Sequence, residues 1–261
     1  MYQNKLTELN HWNDYWESVS LPSEIKKTKK GHYLNEILKV FDKNFQHNPK
    51  LSIIEIGGSP GQYLAYMYKN FGYKIHCLDY SEIGCIKTEE NFQLLNIPCE
   101  IIKKDLFTEE NKLPLFDIVY SLGFIEHFLD IDIVIEKHLR LLKIGGLLLV
   151  GMPNLRGINY FFFKMLAPIL LSKHNLKVME IGNWKSFEQK FNLQPVFKGF
   201  VGGFEPLVFN RWEKKTVITF IFKLVAKLLS LLLSSHFKFL RRFNSKYFSG
   251  YIIGVYKKLC N

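Results

Sequence analysis

Apolar runs alternate with helical patterns between residues 51 and 151, and this alternation constrains the fold more than any other feature of the sequence. The runs that predict strands lie at residues 51–56, 74–78, 99–102, 116–121 and 145–151. The helical patterns between them lie at residues 61–70, 82–95 and 130–142. This order predicts an α/β fold in which helices cover both faces of a doubly wound, mostly parallel sheet. Because such sheets bind ligands beyond the carboxyl ends of their strands, the loops there are the candidate sites.

The first part of the chain predicts an N-terminal helical cap at residues 1–48, followed by a main domain at 49–261. Helical patterns occupy residues 1–22 and 32–45. Large side chains in the first pattern recur at i, i+3, i+4 and i+7 spacing: Trp12, Tyr15, Trp16 and Val19. That face either packs on the core or forms a flap over a ligand, and the spacing leaves both interpretations open.

The residues after Pro153 predict two more strands and two insertions. Apolar runs at 193–201 and 249–257 predict the strands. Sequence rich in Phe and Leu predicts helical insertions at 156–185 and 205–245.

Charge and cysteine content narrow the functional classes. The formal net charge of +11 suits a nucleic acid, an anionic membrane surface or an acidic substrate, and solvated lysines account for it equally well. The 4 cysteines form no CxxC pair, and no His/Cys cluster has the spacing of a zinc site, so no metal is predicted. Cysteines without a disulfide pattern and an N-terminus without an apolar signal-peptide core predict a cytoplasmic protein.

The loop after the first predicted strand, within the stretch IIEIGGSPGQYL, is rich in glycine. Gly57, Gly58 and Gly61 predict a sharp turn that lets a ligand approach the backbone closely. Ser59 stands where the dinucleotide fingerprint has its second spaced glycine, so the turn by itself indicates no particular cofactor. Glu55 is poorly placed for a pyrophosphate and suits a cationic ligand. S-adenosylmethionine carries an ammonium and a sulfonium, and no phosphate.

The loops after the next strands carry side chains suited to an adenosine. Asp79 ends the second predicted strand and precedes Tyr80. An acid at this position accepts hydrogen bonds from both ribose hydroxyls, and it equally suits the N-cap of the following helix. Asp105 can accept the exocyclic amine of adenine, while Leu106 and its apolar neighbours sandwich the ring. Ser121, at the end of the fourth predicted strand, is the last candidate for cofactor contact.

Residues 50–153 together resemble a class I S-adenosylmethionine-dependent methyltransferase of the small-molecule type. The resemblance rests on Glu55-Ile-Gly57-Gly58-Ser-Pro-Gly61, Asp79, Lys104-Asp105-Leu106-Phe107, Phe116-Asp117-Ile-Val, Glu126-His127 and Leu142-Lys143-Ile-Gly145-Gly146. It implies a seven-stranded, Rossmann-like sheet that ends in an antiparallel hairpin. It also implies S-adenosylmethionine as the cofactor, bound by the loop residues described above.

His127 is the candidate catalytic residue. Methyl transfer is an in-line displacement at a sulfonium carbon, and a hydroxyl acceptor must also lose a proton to a base. His127 lies just past the fourth predicted strand, where it serves either as that base or as a structural residue packed beside Phe128. Glu126 can orient the loop or contact the cofactor, and His174 in the first insertion contacts substrate or lies solvated on the surface.

The expected activity is methyl transfer to a hydroxyl of a small or lipid-linked acceptor of glycan or isoprenoid type. RNA or DNA methylation is the alternative that the positive charge prompts. Against it, no N-P-P-Y-like motif follows the fourth predicted strand, where the sequence reads SLGF. A catalytically silent, membrane-associated partner protein is a third interpretation, which the acids Glu55, Asp79 and Asp105 disfavour.

Residues 214–243 predict a helix with a polar stripe on an apolar surface. The members of the stripe recur in steps of three and four: Lys223, Lys227, Ser230, Ser234, Lys238 and Arg241. Lysines in the middle of the stretch argue against a membrane-spanning helix. The pattern suits peripheral contact with the inner face of a membrane, and equally a helix buried against the sheet.

Overall fold

A seven-stranded sheet organises the computed structural model, which describes residues 4–27, 32–108, 113–204, 216–235 and 243–260. The strands are β1 (Ser52–Ile56), β2 (Lys74–Asp79), β3 (Glu100–Lys103), β4 (Phe116–Leu122), β5 (Leu142–Pro153), β6 (Leu193–Phe204) and β7 (Ser249–Lys258). Their order in the sheet is β3-β2-β1-β4-β5-β7-β6. Strand β7 is antiparallel to β5 and β6, and the other pairs are parallel. The predicted α/β fold with an antiparallel terminal hairpin is confirmed.

Helices cover both faces of this sheet. They are α1 (Leu9–Glu17), α2 (His32–Asn44), α3 (Gln62–Phe71), α4 (Glu82–Leu95), α5 (Ile131–Arg140), α6 (Ile158–Leu166), α7 (Pro168–Ser172), α8 (Trp184–Lys190) and α9 (Val217–Ser235). A 3₁₀ turn, Ile125–His127, follows β4.

The core divides into two apolar clusters, one on each face of the sheet. Successive residues of a strand point to opposite faces, so Ile53 joins the cluster that contains Phe41 of α2, whereas Ile54 joins the cluster that contains Val134 of α5. Both isoleucines are fully buried. The apolar runs that the sequence shows are therefore strands covered on both sides, as parallel sheets require.

The observed bounds of α4 and β5 can be compared with the predicted ones. Helix α4 coincides with the predicted segment 82–95, because the Ser81 hydroxyl accepts from the Gly84 N–H at 2.9 Å and caps its first turn. Strand β5 begins earlier than predicted. Leu142 already pairs with Phe116, and the register then shifts before the next paired residues.

The N-terminal helix is shorter than the predicted 1–22, since α1 spans Leu9–Glu17. The residues before it pair with the segment after β4 instead. The Leu6 N–H donates to the His127 carbonyl at 2.7 Å, and the Leu129 N–H donates to the Asn4 carbonyl at 2.9 Å. Because these backbone groups are already bonded elsewhere, they do not form helical hydrogen bonds.

The segment after α7 binds the 3₁₀ turn from the other side. The Asn175 N–H donates to the Glu126 carbonyl at 2.7 Å, and the Asn175 side-chain amide donates to the Phe128 carbonyl at 2.9 Å. The 3₁₀ turn is thus held between the N-terminal segment and the first insertion. This arrangement fixes the residues that face the cavity described next.

Candidate functional site

A cavity of about 1180 Å³ opens beyond the carboxyl ends of β1, β2 and β4. Helices α1 and α7 contribute to its walls. The cavity is lined by most of the residues that the sequence singles out: Glu55, Gly57, Gly58, Asp79, Tyr80, Asp105, Leu106 and His127. Gly61 and Ser121 are not among the lining residues.

Glu55 lies directly beneath the glycine turn. A Cβ added to Gly58 would fall 2.5 Å from the Cγ of Glu55, so only glycine lets the turn rest on this side chain. One carboxylate oxygen accepts from the Tyr120 hydroxyl at 2.7 Å. Burial raises the pKa of Glu55 to about 8, with a smaller contribution from the charge of Asp79, and the Tyr120 hydrogen bond opposes the shift. Glu55 is therefore a buried carboxyl that a cationic ligand would favour in its ionised form.

Asp79 occupies a similar buried position at the end of β2. It is 4% exposed, and its Oδ1 accepts from the Ser81 N–H at 2.9 Å. Burial raises the pKa of Asp79, while hydrogen bonds from Ser81, Ser59 and Tyr80 hold it down. The carboxylate lines the cavity, as the glycine turn and Tyr80 do.

The next loop places an apolar wall beside a carboxylate. Leu106 is 4% exposed and lines the cavity together with Phe107. The Asp105 Oδ1 accepts from the Phe107 N–H at 3.0 Å, which orients the carboxylate at the start of this wall. The pair of apolar side chains offers a surface for a flat ring.

Gly61 and Ser121 lie behind the cavity. Gly61 has φ +84° and precedes the first residue of α3, so it turns the chain into the helix. Ser121 is fully buried, with its hydroxyl 3.0 Å from His138 Nε2. His138 Nδ1 donates to the Val134 carbonyl, so its Nε2 accepts the Ser121 proton and directs that hydroxyl away from the cavity.

Glu126, His127 and His174 meet at the other end of the cavity. Glu126 is fully buried, and His127 is 6% exposed. The His127 Nε2 lies 4.0 Å from one carboxylate oxygen of Glu126, and the rings of His127 and His174 are 4.6 Å apart between centroids. Sequence analysis named these residues separately. It did not predict that His174 meets the other two, because the insertion that carries it has no pattern that fixes its path.

Burial controls the protonation of this group. It raises the pKa of Glu126 to about 8. It also lowers the pKa of His127 to about 3, and the neighbouring charge of His174 acts in the same direction. His127 is therefore a neutral imidazole near neutral pH.

Aromatic side chains of α1 cover this end of the cavity. The Trp12 ring meets the His127 ring edge-on at 4.9 Å between centroids and stacks on the Trp16 ring at 6.2 Å. Trp12, Tyr15 and Trp16 all line the cavity. Lys173, which the sequence analysis missed, also lines it, with its Nζ 2.9 Å from the Nδ1 of His11.

Helices α6, α7 and α9 expose apolar side chains beside the cavity, and we call this region the apolar surface. It consists of Ile158, Phe161, Met165, Ile169, Val217, Phe220, Ile221, Leu224, Val225, Leu228, Leu229, Leu231 and Leu232. The rings of Phe162 and Phe222 meet at 5.9 Å and join α6 to α9. Ile169 of α7 is 61% exposed and also lines the cavity, so α7 borders both the apolar surface and the cavity.

Helix α9 also carries the described part of the predicted polar stripe. Lys223 and Lys227 are exposed, whereas Ser230 is buried. Lys238 and Arg241 lie outside the described residues. Within the part of the chain that the structure describes, no helix combines the length and apolar character needed to cross a bilayer.

Residues 54–148 match the model of a protein family described as a methyltransferase domain. No curated protein sequence matches the chain. Solved structures are similar in fold. One is geranyl diphosphate C-methyltransferase from Streptomyces coelicolor A3(2), crystallised with Mg²⁺, geranyl diphosphate and S-adenosyl-L-homocysteine. It has a TM-score of 0.60 and 11% identity over 96% of this chain and 97% of that chain.

Two further structures share the fold. Phosphoethanolamine N-methyltransferase 2 from Haemonchus contortus, with phosphomonomethylethanolamine and S-adenosylhomocysteine, has a TM-score of 0.56 and 19% identity, over 85% of this chain and 51% of that chain. The MccD protein has a TM-score of 0.58 and 12% identity, over 85% of this chain and 96% of that chain.

Proposed function

Because residues 54–148 form a class I S-adenosylmethionine-dependent methyltransferase domain, we propose that the chain methylates a hydroxyl of a small or lipid-linked acceptor. The acceptor would lie beside His127, and its apolar part would leave the cavity along Ile169. The observation that carries this proposal is a single cavity with Glu55 and Asp79 at one end and Glu126, His127 and His174 at the other.

The first end suits S-adenosylmethionine, the cofactor of this domain. Glu55 and the glycine turn would meet the methionine half, with its ammonium group, and Asp79 would accept from the ribose hydroxyls. Asp105 and Leu106 would hold the adenine. When bound, the cofactor supplies a methyl group on a sulfonium, which leaves when the acceptor oxygen attacks the carbon and the C–S electron pair returns to sulfur.

The end of the cavity with Glu126, His127 and His174 has space for the acceptor, and the Nε2 of His127 can accept its proton. The volume of about 1180 Å³ lies above the range of about 300–1,000 Å³ that is typical of ligand pockets, which supports an acceptor beside the cofactor. The Nδ1 of His127 lies 3.0 Å from the Lys173 carbonyl, which only accepts. The ring proton therefore stays on Nδ1, and the Nε2 lone pair faces Glu126 and the cavity.

The apolar surface supports a lipid-linked acceptor and peripheral membrane contact. Val217 and Phe220 of α9 are 76% and 68% exposed, and Lys223 and Lys227 lie exposed on the same helix. A broad apolar face with basic side chains is typical of a helix that lies in a membrane interface. The position of α7, which borders both the apolar surface and the cavity, would bring a lipid-linked hydroxyl to His127 without exposing its tail to water.

The proposal is tested by measuring methyl transfer from radiolabelled S-adenosylmethionine to two acceptors. Both acceptors have the same hydroxylated head group, and one of the two also carries an isoprenoid chain. We expect transfer to both hydroxyls, with the higher kcat/KM for the lipid-linked one. His127→Ala should lower turnover about 10²–10⁴-fold, since a positioned proton acceptor contributes this much. The affinity for S-adenosylhomocysteine should stay nearly unchanged.

The exposed His47 provides the matched control, because His47→Ala removes an imidazole outside the cavity. Transfer to RNA or DNA and to neither hydroxyl would contradict the proposed acceptor. Equal turnover of His127→Ala and the parent would show that His127 only packs the cavity wall.

A further inference from the structure

Both carboxylate oxygens of Glu126 are buried without a hydrogen-bond partner, and no other side-chain oxygen or nitrogen in the described ranges shares this state. Glu126 is fully buried and lines the cavity. A buried polar group without a partner lowers stability, and it does so more when the group is charged. A ligand bound to the Glu126 carboxylate would remove this cost. The carboxylate lies close to the side chains of His127 and His174.

In each of these histidines, one ring nitrogen lies within hydrogen-bond distance of a backbone carbonyl. His127 Nδ1 lies 3.0 Å from the Lys173 carbonyl, and His174 Nδ1 lies 2.7 Å from the Leu170 carbonyl. Because a carbonyl only accepts, each Nδ1 carries the proton and each Nε2 carries the lone pair. Metal-binding histidines in proteins are commonly held in this way, with one ring N–H on a backbone carbonyl and the other nitrogen on the ion.

We propose that Glu126, His127 and His174 bind one divalent transition-metal cation in the acceptor end of the cavity. One ligand atom from each residue lies within 4.8 Å of the other two. Bonds of about 2.0–2.2 Å to zinc would set tetrahedral ligand atoms roughly 3.4 Å apart, so small side-chain rotations close the site. Two imidazoles and a carboxylate favour Zn²⁺ or Mn²⁺ over Mg²⁺, which takes mainly oxygen ligands.

The surrounding hydrogen bonds fix the three ligands relative to one another. Glu126 and His127 are adjacent in the 3₁₀ turn, whereas His174 comes from the insertion. The Asn175 N–H donates to the Glu126 carbonyl at 2.7 Å, directly after His174 in the chain. The insertion is therefore attached to the 3₁₀ turn on both sides of His174, because the Lys173 carbonyl accepts from the His127 ring and the Asn175 N–H donates to the Glu126 carbonyl. These hydrogen bonds keep the three ligands together before the ion arrives.

This site deepens the proposed function, on which its catalytic role rests. Three protein ligands leave coordination positions open, as in catalytic zinc sites. A hydroxyl that occupies an open position becomes more acidic, releases its proton to water and attacks the methyl carbon, while the C–S pair stays on sulfur. His127 would then act by holding the cation beside the acceptor oxygen.

Metal binding is measured on the full chain without any methyl transfer. Chelator-treated protein is titrated with Mn²⁺, followed by the loss of the free-ion signal in electron paramagnetic resonance, and with Zn²⁺ by calorimetry. We expect one ion per chain, and at least tenfold weaker binding for His174→Ala and Glu126→Gln, since even residues behind the ligands contribute about 10–100-fold. His47→Ala is the matched control and should bind as the parent does.

S-adenosylhomocysteine calorimetry on each variant shows whether its fold is kept, because that ligand binds at the opposite end of the cavity. If Glu126→Gln does not fold, His174→Ala decides the test. His174 is only half-buried, so its replacement disturbs the core less. Equal ion affinity in the parent and in a folded His174→Ala variant would overturn the site. Ion binding that depends on His174, together with no transfer to any hydroxyl, would uphold the site and overturn the proposed acceptor.

Discussion

Glu55 and Asp79 lie almost out of reach of water, at 3% and 4% exposure, although carboxylates are strongly hydrated groups. Burial is the main cause of the raised pKa of both residues. Near neutral pH, Glu55 therefore holds a proton in the ligand-free protein, and Tyr120 shares a hydrogen bond with it. A cation at this end of the cavity favours the ionised form, so binding and proton release are coupled here.

Stability should fall as pH rises through the range in which only the folded protein keeps the Glu55 proton. The pKa is about 8 in the folded protein and about 4.3 in an unfolded chain. Between these values the unfolded state binds fewer protons, so the free energy of unfolding decreases by up to about 1.4 kcal/mol per pH unit from this residue. Glu55→Gln should remove that contribution, as chemical denaturation at pH 5, 6 and 7 would reveal.

The comparison between variant and parent separates Glu55 from the other buried groups. The raised pKa of Glu126 also makes the free energy of unfolding decrease as pH rises. The lowered pKa values of His127 and His138 make it increase with pH. These residues are present in both proteins, so their effects cancel in the difference. Identical pH slopes for Glu55→Gln and the parent would mean that Glu55 is ionised in the folded protein.

Asp79→Ala should weaken binding of S-adenosylhomocysteine by roughly ten- to a hundredfold. A hydrogen bond to a charged group contributes about 1.5–3 kcal/mol, and 1.4 kcal/mol corresponds to a factor of ten. Calorimetry checks this, with Asp132→Ala as the control, since Asp132 pairs with Lys190 and does not line the cavity. Parent-like affinity of a folded Asp79→Ala protein would refute the assignment of Asp79 to the ribose.

At the scale of single elements, the described part of α9 has little cover from the rest of the fold. Its inner side reaches α6 through Phe222 and Phe162, and Ser230 is buried. Most of its described apolar side chains face outward, which argues against the predicted alternative of a helix buried against the sheet. The sequence pattern could not decide this point, because amphipathic spacing gives the width of an apolar face and not the surface that covers it.

Vesicle binding should depend on the two exposed lysines of α9. Each Lys near an anionic surface contributes about 1 kcal/mol, so Lys223→Glu/Lys227→Glu should reduce co-sedimentation with anionic vesicles strongly. Raising the salt from 0.1 M to 1 M should weaken parent binding, since the Debye length falls from about 10 Å to about 3 Å. Part of the vesicle binding should remain at 1 M salt, because the apolar face of α9 does not depend on charge.

Neutral vesicles and a Lys69→Glu variant on α3 serve as controls, because Lys69 is exposed and pairs with Glu24 away from α9. A parent protein that stays in the supernatant with both kinds of vesicle would rule out membrane contact through α9.

For the whole molecule, sequence analysis predicted the sheet well because each strand carries its own signal. Residues 51–56 and 74–78 are short apolar runs between polar loops, and β1 and β2 lie within a residue of those bounds. The antiparallel hairpin followed from the resemblance rather than from periodicity. Its order, with β7 between β5 and β6, depends on long-range pairing that no local pattern contains.

Part of the candidate site could likewise be predicted from the sequence, and part could not. Glu55, Gly58 and Asp79 directly follow or end strands, so their meeting could be predicted from the parallel sheet alone. The meeting of His127 and His174 could not, since the hydrogen bond from the His127 ring to the Lys173 carbonyl spans 46 positions. Likewise, the late start of helix α1 reflects pairing of residues 4–6 with the segment after β4, which leaves no trace in local sequence.

The attachment of the 3₁₀ turn to both the N-terminal segment and the first insertion has a consequence for how this enzyme can change through evolution. The end of the cavity with Glu55 and Asp79 is lined by loops between residues 55 and 107, whereas the end with His127 is also lined by α1 and by residues 155–174. Both coverings, α1 and residues 155–174, contribute to the wall around His127, since Trp12 of α1 meets its ring and the Lys173 carbonyl accepts from it. A change of acceptor would therefore begin in these coverings, where substitutions reshape the wall beside His127.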